Sequence, residues 1–246
     1  MRHISIVALN VVAVFALCAV AASSASAHEI LFELPAGQNY PVLFLSKAGP
    51  ALFESEGGIK FKCTAVTNHG HIEDAHLGTV GIVFTGCSTK IIVTLKCQTS
   101  GAASGEIVLP NSLFHLGLEH TGTSSTVPAL LFLLPVEGGE HKFTFECGGS
   151  AVVLTGDVLG LLEVLGGGRP VSGTQYSTAL VSFKQSGGKQ NSTEFLLSLT
   201  TPEDELMTGQ HLTSGSSLFG TSGLGLEVDD MLDGFSSGTI GIIEEG

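Results

Sequence analysis

Apolar and polar residues alternate with a period of two along most of this chain, and a helical period is nearly absent. Ile59, Phe61, Cys63 and Ala65 would face one way and Lys60, Lys62 and Thr64 the other, the pattern of a half-buried strand. Ile91, Val93, Leu95 and Cys97 repeat the arrangement against Lys90, Thr94 and Lys96, as do Phe143, Phe145 and Cys147 against Lys142, Thr144 and Glu146. Three cysteines are thereby placed on core faces. Further strands are predicted over residues 30–34, 79–84, 129–134, 151–155, 178–184 and 195–200, punctuated by Gly, Ser, Pro and Asn. Residues 159–165 fit one helical turn or a buried strand, and their neighbours favour strand.

Many short strands at regular spacing predict an all-β protein, an antiparallel β-sandwich or barrel-like domain, rather than βαβ units. The sharpest interruption is Gly166-Gly167-Gly168-Arg169-Pro170, either a linker or a long turn. It divides a disulfide-bearing β domain over residues 28–165 from an acidic C-terminal β region over 171–246. That region either continues the same domain or forms a small second one. A faint internal echo relates Val93-Thr94-Leu95-Lys96-Cys97 to Phe143-Thr144-Phe145-Glu146-Cys147, too little for a repeat architecture.

The amino-terminal segment stands outside this pattern. Met1-Arg2-His3 is a short positive stretch, residues 4–22 an apolar run, and Ala25-Ser26-Ala27 a small-residue cleavage signature. Residues 1–27 therefore read as a secretory signal peptide cut between Ala27 and His28, with an uncleaved anchor as the alternative. Leu17 precedes Cys18 where a lipoprotein cysteine requires a small residue, so lipidation is not expected. Cleavage would leave no membrane span and place the product outside the cell or at its surface.

Of the 246 residues, 43% are apolar, which excludes intrinsic disorder. The net charge is −13, and the ten basic residues are scattered singly, which argues against nucleic acid and disfavours anionic membrane surfaces. Removing 27 residues, Arg2 among them, leaves 219 with a net charge of −14. No Lys or Arg follows Lys189. The acidic end, including Asp229, Asp230 and Asp233, reads as a solvated face, since these spacings do not match a calcium loop.

Four cysteines remain after cleavage, Cys63, Cys87, Cys97 and Cys147, an even number that predicts two disulfides in an exported chain. Three connectivities are possible. The matching strand contexts of Cys97 and Cys147, and the hairpin-sized stretch between Cys63 and Cys87, favour those two pairs. No C-x-x-C spacing supports zinc.

Thr85-Gly86-Cys87, Cys97 with Gly101 and Gly105-Glu106-Ile107, Phe145-Glu146-Cys147-Gly148-Gly149, Gly156-Asp157-Val158-Leu159-Gly160 and Gly188-Lys189-Gln190 together resemble an uncharacterised family of secreted actinobacterial proteins with four cysteines. The resemblance covers residues 50–245. It implies only that the four cysteines are structural, and it carries no activity. Gly166 to Pro170 stands where that family is expected to have a proline-asparagine turn.

Candidate chemistry is sparse. His28, if it is the mature terminus, offers an amine and an imidazole to copper, with further ligands from His69, His71 and His76. Against a copper oxygenase stand the absence of Trp and the presence of only two Tyr, and residues 69–76 also read as a polar connection between strands. Gly234-Phe235-Ser236-Ser237-Gly238 matches G-x-S-x-G, but no histidine follows it to complete the usual order. Glu54 and Glu56 would share one strand face, an arrangement that could do acid/base work but reads most simply as exposed acids. Asn191-Ser192-Thr193 reads as a turn, and there is no phosphate-binding loop. The sequence thus predicts a non-enzymatic exported protein with a structural or binding role, no catalytic residue, no metal site and no cofactor. Its partner would be an unknown component of the cell envelope or extracellular medium. A copper-binding protein or oxygenase built on His28 is the alternative.

Overall fold

A computed structural model of the chain describes residues 29–120, 126–191, 194–196, 206–208, 212–216 and 220–245, and the described residues contain strands but no helix. In chain order the first nine strands are β1 Glu29–Glu33, β2 Val42–Ala48, β3 Ala51–Ser55, β4 Lys60–Cys63, β5 Ala65–Ile72, β6 Leu77–Thr85, β7 Ser88–Lys90, β8 Thr94–Gln98 and β9 Ile107–His120. There follow β10 Thr126–Leu133, β11 Val136–Glu137, β12 Glu140–Cys147, β13 Ser150–Thr155, β14 Asp157–Glu163, β15 Thr174–Tyr176 and β16 Ala179–Phe183. The last are β17 Gln185–Ser186, β18 Lys189–Gln190, β19 Glu194–Leu196, β20 Leu206–Thr208, β21 Thr213–Ser216, β22 Gly220–Asp233 and β23 Ile240–Glu245.

Of the two antiparallel arrangements expected, the chain adopts the barrel. Strands β6, β5, β2, β22, β16, β14, β10 and β9 pair in that order, and β9 returns to β6. A second circuit of antiparallel pairings runs β22, β3, β4, β7, β8, β12, β13, β21 and back to β22. The long strand β22 belongs to both, pairing β3 over Leu224–Glu227 and β16 over Val228–Leu232. Short interruptions hand the chain from one ring to the other: Gly49-Pro50 between β2 and β3, Thr64 between β4 and β5, Gly86-Cys87 between β6 and β7, and Gly156 between β13 and β14. Gly86 has φ +66°, and a Cβ there would press into the side chain of Thr64, so the sharp turn is reserved for glycine. Strands on both sides of the Gly166–Pro170 turn build both rings.

Alternation explains which side chains fill the interior. Phe61 and Cys63 point in while Lys60 and Lys62 point out, and β12 buries Phe143, Phe145 and Cys147 between exposed Thr144 and Glu146. Phenylalanines form a nearly continuous aromatic path, with Phe53 stacked on Phe61 at 4.3 Å and Phe114 meeting Phe44 and Phe132 at 5.8 and 5.7 Å. Residues 128–131 are buried without alternation because both faces of β10 are covered. Leu130 enters the main core, while Ala129 and Leu131 pack with Leu159 and Phe195 in a second cluster. Of residues 159–165, residues 159–163 are strand, as their neighbours suggested, while Val164 and Leu165 enter the following turn. The sheet β1-β23-β15 lays Phe32, Ile240 and Ile242 against Phe44, Phe114 and Leu232 of the first ring.

Cys63 is bonded to Cys87, and Cys97 to Cys147. The first bridge ties the end of β4 to the turn leaving β6. The second joins directly opposed residues of β8 and β12. Two disulfides are consistent with an oxidising, extracellular location.

One expected strand start is displaced. Ile91 and Val93 do not enter the core, because β8 begins at Thr94 and residues 91–93 form the tip of the β7–β8 hairpin. The period-two pattern of residues 91–97 holds only from Leu95 onward, where partners on β7 and β12 exist to cover it.

Candidate functional site

The barrel interior holds a cavity of about 90 Å³ where the two rings meet, walled by nine phenylalanines and by aliphatic side chains of both rings. An eight-stranded barrel is just wide enough for side chains to fill it or for one small ligand to be held. Four polar residues interrupt this apolar wall: Ser46 of β2, Asn68 of β5, Ser112 of β9 and Asp230 of β22. The register explains how three of them meet. Ser46 lies opposite Asn68, and Asp230 lies opposite Ala48, two residues along β2 from Ser46.

The Asn68 amide donates to Ser46 Oγ and to Asp230 Oδ2, each at 2.6 Å, and Ser46 Oγ donates to the same Oδ2 at 2.9 Å. The donors of this triangle are thus spent within it, two of the three on one carboxylate oxygen. Asp230 Oδ1, Asn68 Oδ1 and Ser112 Oγ remain buried without a hydrogen-bond partner. Asp230 is only 9% exposed. Burial pushes its pKa up to about 6 against the two hydrogen bonds that favour the charged form. The arrangement offers acceptors on an apolar wall, which suits a guest that donates hydrogen bonds.

This site corrects the expectation that Asp229, Asp230 and Asp233 form one solvated face. Asp229 does point outward, held by Lys184 and Ser182 at 2.6 Å each. Asp230 points inward because β22 alternates, with Leu224, Leu226, Val228 and Leu232 buried on the same side. That signal was present in the sequence and was masked by the run of acids around it.

The histidine-rich stretch is also placed differently from the expected connection. His69 and His71 belong to β5 and face outward, since Asn68, Gly70 and Ile72 take the inward positions, and only residues 73–76 form the turn to β6. The His69 ring lies over Gly81 of the neighbouring strand. Half-buried His115 has its pKa lowered by desolvation, opposed by nearby Asp74. Among the described residues, no group of three His, Cys, Asp or Glu is placed to hold a metal ion. Ala27 and His28, and with them the cleavage site and the copper-chelating terminus, lie outside the described residues.

The remaining candidates occupy structural positions. Ser236 Oγ accepts the Leu43 N–H at 3.0 Å, and Ser237 Oγ donates to the Thr239 carbonyl at 2.6 Å, both in the turn after β22. Glu54 binds Lys60 at 3.0 Å and Gln185 at 3.2 Å, whereas Glu56 lies beyond the end of β3 with Lys189 at 3.4 Å. Asn191 accordingly sits just after β18, and Ser192 and Thr193 fall outside the described residues. No family model, curated protein or solved structure matches this chain.

Proposed function

We propose that this is an exported, non-enzymatic binding protein whose barrel interior takes a small, largely apolar molecule bearing one hydrogen-bond-donating group, an alcohol or an amine. The observation that carries this reading is the pair of unpartnered buried acceptors, Asp230 Oδ1 and Asn68 Oδ1, in an otherwise aromatic wall. A buried acceptor left without a donor costs about 1–3 kcal/mol, and a guest that supplies the donor recovers that cost less the desolvation of its own donor. Export is supported by the two disulfides and by the leader-like pattern of residues 1–27.

Size limits the guest. A dry cavity of about 150 Å³ accepts benzene, so the smaller space here admits roughly four heavy atoms before side chains must move. The test is a titration of the labelled protein with 1-propanol, 1-propylamine and propane, followed by NMR. Saturable shifts confined to Phe44, Asn68, Ser112, Asp230 and their neighbours, stronger for the alcohol or the amine than for propane, are expected. Equal response to all three, or no saturable shift with any, would refute the donor-recognition reading.

A further inference from the structure

We propose that the β4–β7–β8 sheet and its hairpin tip dock this protein on an anionic lipid bilayer. The basic residues are isolated in the sequence, but the pairing of three short strands gathers Lys60, Lys62, Lys90 and Lys96 on one outward face. Lys62 lies opposite Ser88, and Ser88 opposite Lys96, so these three form a row across the sheet. Lys90 pairs with Thr94 at the base of the hairpin tip. The three strands carry no acidic residue, in a chain whose net charge is −13. Lys60 is held by Glu54, while among the described residues Lys62, Lys90 and Lys96 make no ion pair.

Next to this face the hairpin tip exposes three consecutive aliphatic side chains. Ile91 is 46% exposed, Ile92 90% and Val93 61%. An apolar point flanked by lysines is the arrangement that inserts into the headgroup boundary while the charges meet lipid phosphates. The composition favours a bilayer over a protein partner. Protein interfaces concentrate aromatic residues and Arg at their centres, and this patch has neither. Lysine, a strongly hydrated point charge, meets mobile headgroups without needing the fixed bidentate geometry that Arg supplies. The lipid surface would lie against the second ring, away from the β1–β23–β15 sheet that packs on the first.

The experiment is co-sedimentation with phosphatidylcholine vesicles and with mixed phosphatidylcholine–phosphatidylglycerol vesicles. The wild type, the triple variant Lys62→Gln/Lys90→Gln/Lys96→Gln, and Ile92→Ser are compared. All are purified in one form, so that residues 1–28 contribute equally to every arm. These positions are on the surface, and unchanged thermal unfolding confirms that the variants fold. Expected are binding only to the anionic vesicles, a loss of about fivefold in partitioning per lysine and so roughly a hundredfold for the triple variant, and weaker binding by Ile92→Ser at unchanged salt dependence. Binding indifferent to phosphatidylglycerol, or retained by both variants, would overturn the proposal. So would equal affinity for soluble polyglutamate, which would make the face a site for acidic protein.

Discussion

Replacing Asp230 with Asn isolates what the buried carboxylate does to this fold. Its pKa stands at about 6 in the folded protein, against 3.8 for the ordinary side chain. Below about pH 4 the group is protonated in both the folded and unfolded chain and contributes no pH-dependent difference. As pH rises from there, the unfolded chain gives up its proton first, while the folded chain holds it, so stability falls. Above about pH 6 both states are ionised and the loss is complete, at about 3 kcal/mol from 1.36 kcal/mol per pKa unit. Asparagine keeps the shape and one acceptor for Ser46 and Asn68, and does not titrate. The stability of Asp230→Asn relative to wild type should therefore climb by about 3 kcal/mol between about pH 4 and pH 7, on top of any constant offset from the new NH₂ group. Urea unfolding of both proteins across this range measures it, and Asp157, also raised to about 6, cancels in the comparison. In thermal unfolding the gain corresponds to about 6–12 °C for a chain of this size. A difference that stays flat across this pH range would show that Asp230 titrates as an ordinary solvated acid and would remove the polar site from the barrel interior.

Two further outcomes follow from packing and covalent structure. A Cβ at Gly78 would sit 2.1 Å from the Phe114 ring and 2.5 Å from the His71 carbonyl, so Gly78→Ala should lower stability by about 1–3 kcal/mol, read as a fall in urea midpoint, whereas Gly37→Ala meets nothing within 4 Å and tests only the backbone, at φ +84°. Removing the Cys97–Cys147 bridge with a double serine substitution opens a span of 50 residues and should cost roughly 4 kcal/mol; an unchanged thermal midpoint would show that the strand pairing alone holds β8 to β12.

Period-two alternation made the strands legible because each buries one face, and Phe61, Phe143 and Phe145 landed where it put them. It failed at Ile91 to Val93, where alternation continues in sequence beyond the point at which neighbouring strands exist to cover it. The barrel closure was not legible. It depends on β9 meeting β6 and on β22 serving both rings, pairings between residues as far apart as Leu45 and Asp233 that no local pattern encodes. The lysine face was hidden for the same reason, since Lys62 and Lys96 meet only across Ser88.

The polar site lies between these cases. Leu224, Leu226, Val228 and Leu232 set a rhythm that requires an apolar residue at position 230, and Asp stands there instead. Local consistency across pattern, packing and polar satisfaction is what makes a sequence specify a fold, and departures from it gather at functional sites. Here the departure is expensive on two counts, the desolvated charge and the acceptors left open, and both costs fall in the same few ångströms of barrel wall. A valine or leucine at 230 would serve the core better. On the function proposed above, the open carboxylate oxygen serves a molecule that enters the cavity and donates to it, which makes this site, rather than the exposed histidines or the serine turn, the place to look for a ligand.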